Sequence, residues 1–216
     1  MTSLRANSKR RLVEKRDGQR TRARLLDAAY REIYRAGFRS ADMDAILATA
    51  GVTKGALYYH FENKDALGYA VIDEVITDLA HKKWVTPLKA GENPIDALIG
   101  VIQSTSLKPE DVQCGCALNN LSQEMSPVNE GFRTRTAKIF ALWTDAMTSA
   151  LRRGQQRGLV KGDVNPGETA TFLIAAYEGY LSLAKNSQDV RLLKSGLKAM
   201  THYLESLRAT PEPKAA

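Results

Sequence analysis

The sequence of 216 residues contains no apolar run approaching the ~20 residues that a membrane-spanning helix needs. Its first residues lack the apolar core of a secretory signal. It has two cysteines, Cys114 and Cys116, which are too close in sequence to build a disulfide framework. These absences argue against membrane-spanning and disulfide-stabilised secreted proteins. They predict a reduced, cytoplasmic protein with no membrane partner.

The residues from which enzymes build active sites are also scarce. The three histidines, His60, His81 and His202, are dispersed, and none pairs with an obvious carboxylate or nucleophile. No glycine-rich phosphate loop is present, and Cys-x-Cys alone is short of the ligand set of a structural zinc site. We therefore expect no catalytic residue, no metal and no cofactor. A helical enzyme is an alternative that activity assays would reveal.

Negative charge is scarce at one end of the chain. The net charge is +7, and residues 1–24 carry nine Lys or Arg against one Glu and one Asp. The remaining residues are balanced, so the whole excess of positive charge lies near the N-terminus. A basic segment on a neutral body predicts a polyanionic partner at that end. We expect residues 1–16 to form a flexible basic arm that contacts DNA phosphates, with a merely solvated tail as the alternative.

The stretch 52–61 organises the rest of the chain, and we interpret it as a short helix that lies in the major groove of DNA. Thr53 is a natural N-cap, and Leu57 and Phe61, four residues apart, share an inward face. Just upstream lies an apolar helical stripe, followed by Gly51 at the position of a left-handed helix end. Helix, glycine turn and second helix form a helix-turn-helix arrangement. The outward side chains can donate hydrogen bonds to phosphates or base edges, and they are Lys54, Tyr58, Tyr59 and His60.

Over residues 17–67 these features resemble the DNA-binding domain of the TetR family of bacterial transcriptional regulators. The residues that carry the resemblance are Gly37-Phe38, Ile46, the runs 50–55 and 57–61, and Lys64-Asp65-Ala66-Leu67. Ala41 departs from the family, which usually has a helix-opening threonine there, so Ser40 or Asp42 must cap that helix. Gly55 costs ~1 kcal/mol in a helix relative to Ala, which fits a backbone that approaches a partner closely. The resemblance implies DNA contacts from Thr53, Lys54, Gly55, Tyr58, Tyr59, His60 and Lys64, and a weaker phosphate contact from Thr21.

Helical periodicity continues through the rest of the chain without a convincing strand, so we predict an all-α fold. The predicted helices cover about 17–36, 43–50, 53–61, 64–83, 94–106, 117–125, 129–157, 167–185 and 189–207. Residues 87–94 are predicted to be a break, and residues 107–115 a loop. The predicted domains are the arm (1–16), a three-helix helix-turn-helix domain (17–63), a larger helical effector-binding and dimerisation domain (64–208) and a tail (209–216).

The resemblance implies an effector pocket in the second domain, and a rigid helix over 64–83 that links this domain to the DNA-binding domain. Cys116 lies at a predicted helix N-terminus, where the dipole can lower the thiol pKa and favour a reactive thiolate. A buried, inert cysteine is the alternative, as core packing is for each aromatic candidate. The tentative effector-binding residues are Cys116, Asn120, Phe140, Trp143, Phe172 and Tyr177.

A heptad-like apolar seam in the last two helices predicts an interface with a second copy of the chain. The predicted dimerisation residues are Tyr177, Leu181, Val190, Leu193, Leu197, Met200 and Leu204. Together with the TetR resemblance, these patterns predict a homodimeric regulator that binds a palindromic double-stranded DNA operator. The resemblance implies that a small-molecule effector of unspecified identity releases it and that it is a repressor, with an activator as the alternative. The alternative is an architectural DNA-binding protein without an effector, which would give a sequence-blind, salt-dependent footprint.

Overall fold

The computed structural model describes the backbone of residues 2–209 and the side chains of residues 16–209. Residues 210–216, nearly all of the predicted tail, lie outside the described residues. The described residues form ten helices, and the all-α prediction is confirmed. A single isolated bridge between Val160 and Arg208 is the one β-type pairing within the described range. No helix within residues 2–209 is long and apolar enough to cross a membrane.

The first three helices form a small unit that we call the head: α1 (Thr2–Ala36), α2 (Met43–Ala50) and α3 (Lys54–His60). Helix α1 begins at Thr2, which corrects the predicted start near Asp17. Residues 2–16 continue the helix instead of forming a separate flexible arm. This segment has no proline and is rich in Arg, Lys and Leu, which are good helix formers.

Short polar side chains fix the ends of the head helices. Asp42 caps α2 by accepting a hydrogen bond from the Asp44 N–H at 2.9 Å, which decides between the two candidate caps. Gly51 ends α2 in the left-handed conformation, with φ 61°. Thr53 caps α3 by accepting from the Ala56 N–H at 3.2 Å. The predicted helix, glycine turn and second helix are therefore present with the predicted caps.

Helix α4 is longer than predicted. It follows the head and is the first helix of the remainder, residues 64–209, which we call the body. It consists of five consecutive segments: Lys64–Ala70, Val71–Ile76, Thr77–Ala80, His81–Val85 and Thr86–Ala90. The second and fourth of these are π-helical. Pro87 does not break the helix, because the widened π turn directly before it accommodates a residue that lacks an N–H. The predicted end at Lys83 is therefore wrong.

Six further helices complete the body. They are α5 (Pro94–Gln103), α6 (Pro109–Cys114), α7 (Ala117–Met125), α8 (Glu130–Gln156), α9 (Pro166–Ser187) and α10 (Val190–Ser206). Asn93, Asn129, Asn165 and Asp189 cap α5, α8, α9 and α10, each by accepting backbone N–H hydrogen bonds. Helix α6 replaces the loop predicted over 107–115, because Pro109 at its first position and acidic residues in its first turn favour a helix start.

The predicted dimerisation seam packs inside its own chain. Its side chains on α10 are buried in the isolated protomer, with exposures of 0% for Leu193, 8% for Leu197, 4% for Met200 and 0% for Leu204. Tyr177 and Leu181 on α9 are also buried, at 3% and 8%, and Val190 is half-buried against the same core. A heptad-like spacing does not distinguish burial within one chain from burial between two chains, which is why this prediction is wrong.

An apolar contact joins the head to the body. The rings of Phe38 from the head and Phe132 from α8 lie 4.4 Å apart. Gly68 on α4 fits between them, since a Cβ there would lie 2.5 Å from Phe38 and 2.7 Å from Phe132. A displacement of α8 or α4 would therefore also displace Phe38, so the head is mechanically connected to the body at this point.

Candidate DNA-binding surface and effector cavity

Helix α3 presents large polar side chains to solvent. Tyr58 and Tyr59 are 52% and 83% exposed, and Lys54 is exposed beside them. The opposite face holds the helix in place, because Leu57 and Phe61 are buried at 2% and 5%. Exposed phenols and an exposed cation on a helix anchored from behind can donate to phosphates and base edges.

Gly55 is exposed on α3. A Cβ built on it would meet nothing closer than the Thr53 hydroxyl oxygen, at 3.9 Å. Nothing in the packing of residues 16–209 therefore requires a glycine here, although glycine is unfavourable within a helix.

Two other side chains that were predicted to contact DNA, Lys64 and His60, contact residues of the head. The Lys64 ammonium donates to the carbonyl oxygens of Arg39 at 3.0 Å and Ala41 at 2.7 Å. It therefore stabilises the turn between α1 and α2, which the sequence did not indicate. The half-buried His60 ring packs against Tyr59, with ring centroids 5.0 Å apart.

Helix α1 adds positive charge next to α3. Thr21 is half-buried, whereas Arg16, Arg20 and Arg24 on the same helix are exposed. The Arg24 guanidinium lies 3.9 Å from the position of a Cβ on Gly51, at the turn before α3. Arg24 is thus a candidate for a contact with a DNA phosphate. The sequence pattern did not identify it individually, because Arg24 was only one of the nine basic residues in residues 1–24.

A cavity of about 350 Å³ lies where helix α1 meets the body. The head contributes Tyr30 and Tyr34, whose rings stack with centroids 5.8 Å apart. Helix α4 contributes Lys83 and Trp84, and the segment after α5 contributes Thr105. A molecule in this cavity would therefore contact both the head and the body.

The structure brings together three of the six tentative effector-binding residues. Cys116, Trp143 and Tyr177 line the cavity. Phe140 and Phe172 are not among the lining residues; Phe140 packs against the Trp143 ring at 5.8 Å, and Phe172 is 52% exposed.

Asn120 has a local structural role instead. Its side chain donates to the Cys114 carbonyl oxygen at 2.7 Å and accepts from Lys185 at 3.1 Å. Sequence reasoning missed Tyr30, Tyr34, Lys83 and Thr105, which come from three separate segments. Only the spacing of the two tyrosines by four residues on one helix could have suggested them.

A hydrogen-bonded chain crosses the cavity wall. The Lys83 ammonium donates to the Tyr177 hydroxyl oxygen at 2.6 Å, and that hydroxyl also bonds the Thr105 hydroxyl at 3.0 Å. Burial lowers the pKa of Lys83, and the negative charge of the Glu178 carboxylate opposes this shift. Burial likewise raises the pKa of Tyr177. The wall thus holds a cation in a poorly solvated position.

Glu178 lies behind this wall with an exposure of 7%, and its two carboxyl oxygens have no hydrogen-bond partner among residues 16–209. Burial raises its pKa to about 7, and the Cys116 thiol and the Lys83 ammonium oppose that shift. Burial and, secondarily, Glu178 raise the pKa of Cys116. The backbone N–H groups at the start of α7 act in the other direction but are weaker. The predicted low thiol pKa and reactive thiolate are therefore wrong, and the thiol is neutral at physiological pH.

Several contacts tie the cavity region to the head. Glu124 of α7 accepts from the backbone N–H groups of Phe38 at 2.8 Å and Arg39 at 2.7 Å. Tyr34 donates to the Gly115 carbonyl oxygen at 2.8 Å, between α6 and α7. These bonds hold the end of α1 and the turn after it against the cavity-forming part of the body.

The described residues contain no group of three His, Cys, Asp or Glu side chains that could hold a metal ion. Two family models match the chain. Residues 25–71 match the bacterial regulatory proteins of the tetR family. Residues 91–200 match the tetracyclin repressor-like C-terminal domain.

Curated proteins of similar sequence are transcriptional regulators. The HTH-type transcriptional repressor DhaR of Mycobacterium sp. (strain GP1) is 31% identical over 158 residues, 73% of this chain and 79% of DhaR. The transcriptional regulator AcuR of Cereibacter sphaeroides is 26% identical over 163 residues, 74% of each chain.

Solved structures show the same fold. A TetR transcriptional regulator from Chloroflexus aurantiacus J-10-FL superposes with a TM-score of 0.80 at 23% identity, covering 90% of this chain and 100% of that chain. The reduced form of Escherichia coli NemR has a TM-score of 0.75 at 25% identity, with 89% and 99% covered.

Proposed function

Because the chain belongs to the TetR family of bacterial transcriptional regulators, we propose that it is a homodimeric repressor that a small molecule releases from a palindromic operator. Membership of this family removes the enzyme alternative, since its members are regulators of transcription. The observation that carries the proposal is the cavity that Tyr30 and Tyr34 of the head line together with the body. Because the DNA it regulates is in the bacterial cytoplasm, we place the protein there.

The DNA-binding part of the proposal rests on α3. Lys54, Tyr58 and Tyr59 project from a helix whose opposite face is buried, and the exposed Arg24 of α1 lies at the turn before it. We assign Lys54 and Tyr58 to base edges and Tyr59 and His60 to phosphates. An architectural protein that reads only DNA shape would have no use for a cavity shared with a large second domain.

A second apolar face supports dimerisation in place of the buried seam. On α9 it comprises Phe172, Ala176, Gly179 and Leu183, spaced by four, three and four residues. Phe172 and Leu183 are 52% and 56% exposed, and Tyr203 of α10 packs against Phe172 at a centroid distance of 5.0 Å. Large apolar side chains at helical spacing on an exposed face favour packing against the same face of a second copy. Two-fold symmetry then matches a palindromic operator.

Release requires that the ligand-bound conformation bind DNA less well than the free one. An occupant of the cavity contacts Tyr34, whose hydroxyl holds Gly115, and it borders the start of α7. The same α7 carries Glu124, which fixes the turn after α1. We propose that the signal travels through α1 and α7 as well as along α4, the route that the family resemblance implies.

The experiment is a selection of duplexes from a random pool, followed by fluorescence anisotropy on the enriched sequence. We expect a palindrome, and we expect Lys54→Ala to weaken binding by ~1–3 kcal/mol while relaxing specificity at one position. Tyr59→Phe, which removes only the phenol hydroxyl, is expected to weaken binding to all sequences alike. Lys198→Ala, an exposed lysine on α10, is the matched control. Enrichment of no sequence, or unchanged affinity in both α3 variants, would refute the assignment.

A further inference from the structure

Three groups of the cavity wall have hydrogen-bond donors that no acceptor among residues 16–209 uses. The Lys83 ammonium donates one hydrogen bond, to the Tyr177 hydroxyl oxygen, and an ammonium has three donors. The Trp143 ring lines the cavity and is 5% exposed, yet its indole N–H has no acceptor among residues 16–209. A buried indole N–H normally finds a partner.

The hydroxyl pair adds a further donor. The Tyr177 oxygen accepts from Lys83, because an ammonium cannot accept a hydrogen bond. The single bond between Tyr177 and Thr105 uses one of their two hydroxyl protons, whichever oxygen donates. One hydroxyl proton of the pair is therefore left over, at a wall position that both residues share.

No acidic side chain among residues 16–209 accepts a hydrogen bond from these donors. Asp111 lines the cavity but accepts a hydrogen bond from the Ser106 hydroxyl. Glu178 lies behind the wall and is not among the lining residues, and no carboxylate of residues 16–209 forms an ion pair with Lys83. A cationic ligand would meet the Lys83 ammonium before it could reach Glu178.

We infer that the cavity takes a small organic acid, whose carboxylate accepts hydrogen bonds from Lys83, the Trp143 indole N–H and the Tyr177–Thr105 hydroxyl pair. Its apolar part packs against Ile76 and Leu118, which line the same cavity. Charge-assisted hydrogen bonds to a carboxylate are the strong type, and a buried cation makes them stronger. This inference rests on the proposed function, because it names the ligand class of the same cavity.

The volume limits the size of the acid. Ligand pockets range from about 300 to 1,000 Å³, and this cavity, at about 350 Å³, is near the lower end. A single ring or a short alkyl chain with one carboxylate fits, whereas a multi-ring drug does not. The aromatic rings of Tyr30, Trp84 and Trp143 on the wall favour a flat or slender apolar part.

The test is isothermal titration calorimetry on the full-length protein with benzoate, phenylacetate and hexanoate. Each acid is compared with the primary amide and the primary amine of the same carbon skeleton. We expect at least one acid to bind about tenfold or more tightly than its amide, the factor typical of a charge-assisted hydrogen bond, and the amines not to bind. Lys83→Met is expected to reduce the preference to about twofold or less, because it removes the charge but keeps an unbranched side chain only one atom shorter.

Lys82→Met is the matched control, since it removes a neighbouring positive charge that is exposed and paired with Asp78. Trp143→Phe keeps a ring in the wall but removes the indole N–H, so it weakens acid binding and serves as the test if Lys83→Met does not fold. The inference is overturned if no acid binds, if an amide or amine binds as tightly as its acid, or if Lys83→Met retains the preference.

Operator release separates this inference from the proposed function. An acid that binds in the predicted way but leaves operator affinity unchanged refutes the coupling and leaves the ligand class standing. A neutral or cationic compound that enters the cavity and releases the operator refutes the ligand class, while the proposed function stands.

Discussion

The substitution Gly55→Ala is expected to make the protein more stable and a poorer DNA binder. An added Cβ finds 3.9 Å of space, and Gly55 is not among the glycines with positive φ, so no strain opposes it. Replacing a helical glycine by alanine then gains about 0.5–1 kcal/mol. For a chain of this size that gain raises the melting temperature by about 1–4 °C.

We expect weaker DNA binding because neither packing nor backbone conformation requires a glycine at position 55. Close approach of the backbone to DNA is the explanation that remains. If the backbone at Gly55 touches a phosphate or a base edge, a methyl group there displaces α3 and weakens operator binding by about tenfold or more. Chemical denaturation measures the stability gain, and fluorescence anisotropy at fixed salt measures operator affinity. Gly100→Ala is the matched control, because Gly100 is exposed on α5 with nothing within 4 Å of its Cβ position.

Operator affinity tests the approach of the α3 backbone to DNA, and stability tests the space around position 55. A stabilised Gly55→Ala protein that binds the operator as tightly as wild type would show that the α3 backbone does not approach DNA at this residue. A destabilised protein would show that a methyl group at position 55 is strained within α3. Gly100→Ala is expected to gain stability without any change in operator affinity.

Three further predictions concern the rest of the chain. Leu183→Glu places a charge on the exposed face of α9 and is expected to give folded monomers by sedimentation, because the monomer core does not include this side chain; a stable dimer would contradict the proposed interface. Glu124→Gln removes the charge that caps two N–H groups after α1, so we expect a loss of ~1–3 kcal/mol in unfolding free energy and a weaker ligand response; an unchanged response would exclude the α7 route. Because the pKa of Glu178 is raised to about 7, the folded state binds more protons than the unfolded state between the two pKa values, so stability falls as pH rises from about 5 to 7. Glu178→Gln is expected to remove that fall, which denaturation curves at pH 5 and pH 8 would show, and a persistent fall would contradict the assignment.

Local physical chemistry explains which parts of the fold were predictable. Caps such as Thr53 and Asn129 act within a few residues of the chain, so the helix starts they define agree with the structure. The start of α1 and the end of α4 differed, because a lack of breakers and a π turn before Pro87 extend helices beyond the apolar pattern. The seam on α10 was periodic as predicted, but periodicity carries no information about which surface covers it.

In the candidate sites, too, the local features were predictable and those that depend on tertiary packing were not. The exposed donors of α3 lie within a few residues of one another, and the sequence identified them together. The cavity joins Tyr30, Lys83, Thr105 and Trp143, which are far apart in the chain and meet only through tertiary packing. Cys116 shows the limit most clearly, because helix position predicts a lowered pKa whereas burial, which depends on the whole fold, raises it.

The central claim is that occupation of the cavity and binding of the operator exclude each other. Its most direct test is the operator affinity of Ala80→Phe, which places a ring in the cavity from a buried position on α4 without any ligand. We predict a folded dimer with about tenfold or more weaker operator binding, within the usual range of allosteric coupling. Ala90→Phe, at an exposed position on the same helix, is predicted to bind as wild type. A folded Ala80→Phe dimer that binds the operator as tightly as wild type would contradict the account.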